Sequence, residues 1–338
     1  MAGANLNSGT SDVVGHRKVI ERLWNALGEH RSHHAYLFEG PAGVGKRLVA
    51  ERYAMAANCS GTGLPCGGCP SCVKIAQWNH PDVILLEAEK SSSSRTISVG
   101  QVREVIRKLG YHRFSAKRRV VIVDPAEALT PTAANALLKT LEEPPEGTGF
   151  ILISHQSDLL LPTILSRCQR VLMAPVGIDD LATWLAQKGV EAPEQVAEFA
   201  GGCPGKALAL SGGELAERMA LRDVLLRLVN GSLEELFEWS KSLCRGDRQV
   251  WSRKVEKLLE VTEELLRDVV VLSQDRSKNV LHKDVIGALE SWQVALIPFG
   301  VDRCYRAVAD ARTNMERNVS GRLVVEAIVS TIRSELAS

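Results

Sequence analysis

The sequence has no excess of charge of either sign. Its 338 residues include 41 lysines and arginines and 40 aspartates and glutamates, so the formal net charge is +1. Such a balance provides no overall electrostatic attraction to nucleic acid, and any contact with DNA must come from a local patch or a partner protein. The densest basic cluster, residues 117–119, is short, and we interpret it as a solvated turn before a strand.

Two further absences concern membranes and targeting. No apolar run approaches the roughly 18 residues that a membrane-spanning helix requires. The first 12 residues lack the apolar segment of a signal peptide. We therefore expect a cytoplasmic protein without a membrane anchor. Eight cysteines in a chain of that compartment indicate a metal site or free thiols rather than disulfides.

Composition and length indicate a globular protein with more than one domain. Hydrophobic residues make up 45% of the chain and charged residues 24%. Four compact apolar runs alternate with helical segments, which predicts a parallel sheet buried on both faces. The runs are AYLFEG at 35–40, VILLE at 83–87, VVIVD at 120–124 and FILIS at 150–154. After Pro175 short helical segments follow, and from about residue 214 the pattern is helical to the end.

A glycine-rich loop stands between the first of these strands and a helical segment. The octapeptide GPAGVGKR begins at Gly40 and matches the phosphate-binding pattern G-x-x-x-x-G-K-[ST] up to its last position. Gly40, Gly43 and Gly45 allow backbone N–H groups to approach a phosphate, and Lys46 can reach the β- and γ-phosphates. ATP or ADP is therefore a candidate ligand. Arg47 breaks the pattern and argues against Mg²⁺, because its guanidinium has no lone pair with which to coordinate a metal.

The run VVIVD has the form of the strand that carries a metal-binding acid in nucleotide hydrolases. Asp124 at its end could hold Mg²⁺ through water, or could be a capping or surface acid. The next position, where a glutamate would orient the attacking water, is Pro125. Glu127 lies two residues further on, where its side chain would point elsewhere. Arg47 and Pro125 are thus two separate losses from the hydrolytic machinery.

Four cysteines form the third motif, Cys59, Cys66, Cys69 and Cys72. Their two C-x-x-C steps suit tetrahedral Zn²⁺, and scattered free thiols are the alternative interpretation. With four protein ligands the site is closed, so we expect a structural role for the metal. The remaining cysteines show no such spacing and are expected to be buried thiols. They are Cys168, Cys203, Cys244 and Cys304.

Two further segments complete the motifs. TPTAANALLKTLEEPP at 130–145 predicts a helix capped by Thr130 and ended by its proline pair. LPTILSRCQR at 161–170 follows the FILIS strand and carries Arg167. The degenerate phosphate loop, the four-cysteine insert, AANALLKTLEEPP and TILSRC, in this order and spacing, resemble bacterial clamp-loader subunits of the AAA+ class. The resemblance covers about residues 13–212.

The resemblance implies a fold and a set of domains. The fold is an α/β AAA+ phosphate-loop domain with a parallel sheet and a zinc insert, followed by a small helical lid and an all-α collar domain. The boundaries would be 1–175 for the nucleotide-binding-like domain, with its zinc module at 59–72, then 176–212 for the lid and 213–338 for the collar. The collar would join the chain to other subunits.

The resemblance also implies partners and one catalytic residue. In that family the arginine of the S-R-C motif acts in trans on ATP held by a neighbouring subunit, and the matching residue is Arg167. The implied partners are motor (gamma/tau) and delta subunits in a hetero-oligomer. The sliding clamp and primed DNA would be reached through the complex.

The family divides into ATP-hydrolysing motor subunits, gamma/tau, and a non-hydrolysing stator, delta prime. Arg47 and Pro125 favour the stator. A third departure is Gly205, at the position that aligns with a sensor arginine of the motors, although Lys206 beside it could partly compensate. The implied function is a stator that helps load the sliding clamp during DNA replication. It would bind nucleotide weakly, would not be catalytic alone, and would provide Arg167 to its neighbour.

Two alternative functions stay open at this point. The first is an active gamma/tau-type ATPase, in which Arg47 is tolerated and Glu127 moves into position. The second, of a different class, is a zinc-dependent DNA-binding module. That module would require a basic face around the cysteines, but residues 58–82 contain only Lys74 and His80 as basic side chains. The sequence therefore argues against it.

Overall fold

The chain folds as two compact units, Met1–Leu208 and Ala209–Ser338. The computed structural model describes residues 12–61, 65–88, 96–114, 116–274, 279–297 and 299–337. No helix in these ranges is long and apolar enough to cross a membrane.

Five parallel strands form one sheet within the described part of the first unit. They are β1 (Ala35–Glu39), β2 (Val83–Leu86), β3 (Arg119–Val123), β4 (Thr148–Ser154) and β5 (Gln169–Leu172). Their spatial order is β2-β3-β4-β1-β5, and all neighbouring pairs are parallel. The carboxyl ends of the strands therefore meet at one edge, which is where such sheets bind ligands.

The sheet is buried on both faces by helices. Every residue of β1, β3 and β4 is buried. Tyr36 and Phe38 of β1 pack into the core on one face and Leu37 into the core on the other, as the two-residue period of a strand requires. The helices that begin in this unit are α1 (Arg17–Gly28), α2 (Lys46–Asn58), α3 (Pro70–Ala76), α4 (Val99–Leu109), α5 (Pro131–Glu142), α6 (Pro162–Leu165), α7 (Ile178–Gln187), α8 (Pro193–Ala200) and α9 (Pro204–Ala209).

Side-chain caps fix the starts of two of these helices. At α4 the Ser98 hydroxyl accepts the N–H of Gln101 at 3.3 Å, and the Gln101 side chain accepts the N–H of Ser98 at 2.8 Å, which is a capping box. At α5 the Thr130 hydroxyl accepts the N–H of Ala133 at 3.2 Å. The predicted cap of α5 is confirmed, and the helix ends at Glu142, just before the proline pair.

The second unit is helical throughout its described residues. Its helices are α10 (Leu215–Asn230), α11 (Leu233–Leu243), α12 (Arg248–Ser273), α13 (Ile286–Leu296), α14 (Gly300–Glu316) and α15 (Gly321–Leu336). Two apolar helix faces of this unit are buried in one core. Their residues are Leu258, Leu259, Leu265 and Leu266 on α12, and Val324, Val325, Ile328 and Ile332 on α15. The predicted fold class is confirmed.

Two features of the sheet differ from the sequence analysis. Strand β5 was missed, because its residues are mostly exposed and form no apolar run. The interpretation of residues 117–119 as a solvated turn is wrong for Arg119. This arginine is the first residue of β3, is 4% exposed, and forms an ion pair with the buried Asp82.

Candidate functional site

The glycine-rich loop joins the end of β1 to the start of α2 at the carboxyl edge of the sheet. Gly40, Gly43 and Gly45 have positive φ angles of 151°, 78° and 111°. The Gly43 carbonyl accepts the N–H of Gly205 at 2.7 Å, and a Cβ on Gly43 would lie 2.9 Å from the backbone nitrogen of Lys206. A side chain at Gly43 would therefore be strained and would push α9 away from the loop.

Lys46 places its ammonium group inside this loop. The residue is 3% exposed, and its Nζ donates to the carbonyl oxygens of Gly40 at 2.5 Å and Pro41 at 2.8 Å. Burial lowers the pKa of Lys46, while the carboxylates of Asp124 and Glu127 oppose that shift. A positive charge at the amino-terminal end of a helix, within a turn of glycines, suits a phosphate group.

Arg47 lies where the phosphate-loop pattern requires a hydroxyl that coordinates Mg²⁺. Its Nη1 donates to Glu87 Oε2 at 3.0 Å and to Asp124 Oδ2 at 3.4 Å. Its guanidinium carbon lies 5.1 Å from the ring centroid of Trp78. Burial raises the pKa of Asp124, and the charge of Arg47 opposes that shift. The guanidinium thus takes the place beside Asp124 that a metal would need, so these residues do not fit Mg²⁺.

The position after Asp124 offers no carboxylate to an attacking water. Pro125 follows Asp124 through a cis peptide bond. The Glu127 carboxylate, the nearest replacement along the chain, accepts the backbone N–H of His155 at 3.0 Å. Glu127 is therefore engaged at the end of β4 in this structure.

A cavity of about 310 Å³ opens beside the phosphate loop. Its polar wall contains the loop, Asp124 and His155. Its apolar wall is formed by Val13, Val14, Ile153, Trp184 and Leu208. Small-molecule sites have about this volume at the lower end of their range and combine apolar walls with a few polar groups. The residues fit a nucleotide with its phosphates at the loop and its base against the apolar wall.

The four cysteines of the predicted zinc module come together. The sulfur atoms of Cys59, Cys66, Cys69 and Cys72 lie within 4.8 Å of one another. Around Zn²⁺, with Zn–S bonds of about 2.3 Å, tetrahedral geometry separates the sulfurs by about 3.8 Å. The backbone N–H of Cys66 donates to Cys59 Sγ at 3.4 Å, and that of Cys69 to Cys66 Sγ at 3.3 Å. The cluster could therefore hold a metal ion such as zinc.

The other four cysteines stand apart from this cluster. Cys168, Cys203 and Cys304 are buried, as expected, and burial raises the pKa of each thiol. Cys244 is only partly buried, so the expectation is wrong for this residue. It lies at the carboxyl end of α11, where the helix terminus leaves part of its side chain open to solvent.

Arg167 lies in the turn between α6 and β5, away from the phosphate loop of its own chain. Its Nε donates to Glu142 Oε1 at 2.7 Å, and its Nη1 donates to the Thr163 carbonyl at 2.8 Å and the Ser166 hydroxyl at 3.2 Å. Its side chain is 31% exposed. The guanidinium is thus at the surface in an ion pair, and its action in trans stays a prediction.

Three residues of the site could not be identified from the motifs in the sequence. Glu87 and Trp78 hold the Arg47 side chain, and His155 holds Glu127. Glu87 and His155 each follow a strand of the parallel sheet at its carboxyl end, and that position could have marked them as site residues. Trp78 gave no such signal, since it lies in the turn that follows α3.

Part of the chain is similar to known proteins. Residues 15–177 match the family model described as DNA polymerase III, delta subunit. The delta prime subunit of DNA polymerase III from Pseudomonas aeruginosa is 40% identical over 207 residues, which are 59% of this chain and 62% of that protein. The Escherichia coli delta prime subunit is 36% identical over 204 residues, 59% of this chain and 60% of that protein.

A tau subunit is also similar to the chain. The tau subunit of DNA polymerase III from Escherichia coli is 29% identical over 295 residues, which are 85% of this chain and 42% of that protein. The chain thus spans less than two thirds of the length of these relatives. Residues 15–177, just under half of the chain, are thus similar to the DNA polymerase III delta subunit family.

Proposed function

We propose that the protein is a stator-type, delta prime subunit of a DNA polymerase III clamp loader, and that it helps load the sliding clamp onto primed DNA. The observation that carries the proposal is the contact of Arg47 with Asp124. It supports the proposal, because the phosphate loop keeps its glycines and lysine while Arg47 lies where a metal would bind. Relatives named delta prime and tau support a subunit of this complex.

Nucleotide binding in this subunit is weak and is not followed by hydrolysis. The cavity, the buried Lys46 and the glycine loop support binding of ATP or ADP. Hydrolysis needs charge compensation by a metal and a group that orients water. Arg47 stands in place of the residue that would bind the metal, and Pro125 stands in place of the residue that would orient water.

The subunit contributes Arg167 to the active site of a neighbouring motor subunit. An arginine that reaches a neighbour's γ-phosphate can accelerate hydrolysis by several powers of ten. Arg167 can leave Glu142 at small cost, because exposed ion pairs are worth about 0–1 kcal/mol. The zinc module would have a structural role, and the second unit would join the motor and delta subunits in a collar.

The ATPase activity of the purified subunit tests the proposal against its alternative. A stator should show background hydrolysis of ATP, with or without primed DNA. An active gamma/tau-type motor subunit, in which Glu127 leaves His155 to orient water, should show turnover that Lys46→Ala abolishes. Turnover of that kind would make the alternative correct and the stator assignment wrong.

A second experiment tests Arg167 in the reconstituted complex. Arg167→Ala should assemble normally and should slow the DNA-stimulated ATPase of the complex at least about 10³-fold per site that it completes. Arg17→Ala, which removes an arginine from an exposed ion pair with Glu21, is the matched control and should have no effect. Equal activity of the two variants would refute the role in trans.

A further inference from the structure

The position of Arg47 determines what form of nucleotide the loop can accept. Three groups hold its side chain: the carboxylates of Glu87 and Asp124, at 3.0 and 3.4 Å, and the ring of Trp78. Both carboxylates contact the same nitrogen, Nη1. A guanidinium has five N–H groups, so its Nε and Nη2 keep three donors for an anion.

A divalent cation is not compatible with this arrangement. In phosphate-loop enzymes the metal is held by the hydroxyl at the position of Arg47 and by the acid at the position of Asp124. Here that acid already faces a fixed positive charge, and a metal bound to it would lie within a few ångströms of the guanidinium. Repulsion between the two cations, and the loss of the hydroxyl ligand, both act against the metal.

The loop nevertheless keeps positive charge for a polyphosphate. Lys46 uses its hydrogen bonds on the neutral carbonyls of Gly40 and Pro41, so a phosphate can replace either of them without breaking an ion pair. Arg47 lines the same cavity as Lys46. Arginine binds phosphate through paired N–H donors, whereas lysine acts as a point charge.

We propose that this site binds nucleoside di- or triphosphates as metal-free anions, with the Arg47 guanidinium supplying the charge that Mg²⁺ supplies in related sites. The inference rests on the nucleotide binding proposed above and goes beyond it, because it predicts that Mg²⁺ does not strengthen binding but competes with the site for free nucleotide. The affinity of an ordinary phosphate-loop site would instead rise with the metal.

The test is titration of the full chain with N-methylanthraniloyl-ADP, followed by fluorescence, with and without MgCl₂. Buffers are freed of metal with a chelating resin rather than with EDTA, so that a metal in the cysteine cluster stays in place. We expect MgCl₂ to raise the apparent Kd, because Mg²⁺ binds free ADP and the site takes only the metal-free form. Mn²⁺ should give no protein-bound electron paramagnetic resonance signal that depends on ADP.

Arg47→Thr restores the hydroxyl and releases Asp124. In this variant Mg²⁺ should strengthen ADP binding at least about tenfold, equivalent to about 1.4 kcal/mol, and an ADP-dependent Mn²⁺ signal should appear. Arg107→Thr removes the same charge from an exposed ion pair with Glu104 on α4, and should behave as the unchanged protein. Circular dichroism checks that each variant is folded.

The possible results separate the inference from the proposed function. Tighter binding of the unchanged protein in Mg²⁺, or an ADP-dependent Mn²⁺ signal from it, would overturn the inference but leave a weak, non-hydrolysing site. Binding in neither condition would overturn both the inference and the nucleotide-binding part of the proposed function. Weaker apparent binding of the unchanged protein in MgCl₂ would support the inference, and equal binding would count against it, because the site would then accept the magnesium complex as well.

Discussion

At the scale of single residues, Arg119 shows how one buried charge organises a connection. Its guanidinium donates to Asp82 Oδ1 from two nitrogens, at 3.1 and 3.3 Å. It also donates to the carbonyl oxygens of Lys108, Leu109, Tyr111 and His112. Asp82 in turn accepts the backbone N–H groups of Phe114 and Ala116. This pair therefore holds the described part of the connection from α4 to β3.

Removing Asp82 should show how much the buried charge of Arg119 destabilises the first unit when it has no ionic partner. Asp82→Ala leaves the Arg119 charge buried and uncompensated, and should lower the free energy of unfolding of the first unit by about 3–5 kcal/mol. Glu104→Ala breaks the exposed pair with Arg107 and should cost less than about 1 kcal/mol. Urea unfolding measures both. A similar, small loss in the two variants would contradict the role given to the buried pair.

The neighbouring His80 should make the stability of the protein depend on pH. Burial lowers the pKa of His80 below its usual value near 6.5, and its Nδ1 accepts the N–H of Asp82 at 3.2 Å, which requires an unprotonated Nδ1. The unfolded chain therefore takes up a proton below about pH 6.5 that the folded chain refuses, and stability is lost as the pH falls. The loss is at most about 1.4 kcal/mol per pH unit for one such histidine.

His80→Asn keeps an acceptor near Nδ1 but does not titrate. Urea unfolding at pH 7.5 and pH 5.5 should show a smaller loss of stability for this variant than for the unchanged protein. His112→Asn, at an exposed position, is the control and should show the full loss. Part of the loss should remain in His80→Asn, because burial also lowers the pKa of His16 and His34. Parallel behaviour of all three proteins would contradict the assignment to His80.

At the scale of elements, burial decides what the sequence could predict. Strands β1 to β4 lie in the interior of a parallel sheet or against its helices, so each reads as an apolar run. Strand β5 lies at the sheet edge and is defined by backbone pairing with β1, which its polar side chains do not reveal. The glycine loop could be predicted in the same way from local sequence. The contacts of Arg47 with Glu87 and Trp78 could not, because they join distant parts of the chain.

The cysteine cluster gives a prediction for the segment between α2 and the end of α3. This segment is rich in glycine and proline, and a bound metal would be its main stabilising contact. The purified protein should contain about one zinc per chain by elemental mass spectrometry, and Cys69→Ser should lose it and unfold at lower urea concentration. Cys244→Ser, outside the cluster, should keep the metal. Zinc-free wild-type protein that is equally stable with and without added Zn²⁺ would contradict the prediction.

At the scale of the whole molecule, each unit has a hydrophobic core of its own. Among the described residues, one core lies on each face of the sheet in the first unit, and another lies among the helices of the second. In the second unit Arg218, 3% exposed, adds an ion pair between α10 and α12 with Glu264 at 2.8 Å. Separate cores allow each unit to open without the other.

This separation predicts that core variants act on one unit at a time. Leu37→Ala in β1 and Leu265→Ala in α12 each remove a fully buried side chain and should each cost about 2–5 kcal/mol. Hydrogen exchange, measured by mass spectrometry, shows which peptides of the chain lose stability in each variant. Leu37→Ala should speed exchange in peptides before Leu208, and Leu265→Ala in peptides after Ala209. If either variant speeds exchange equally in both units, the chain unfolds as one cooperative body, and the second unit does not form a core that is stable by itself.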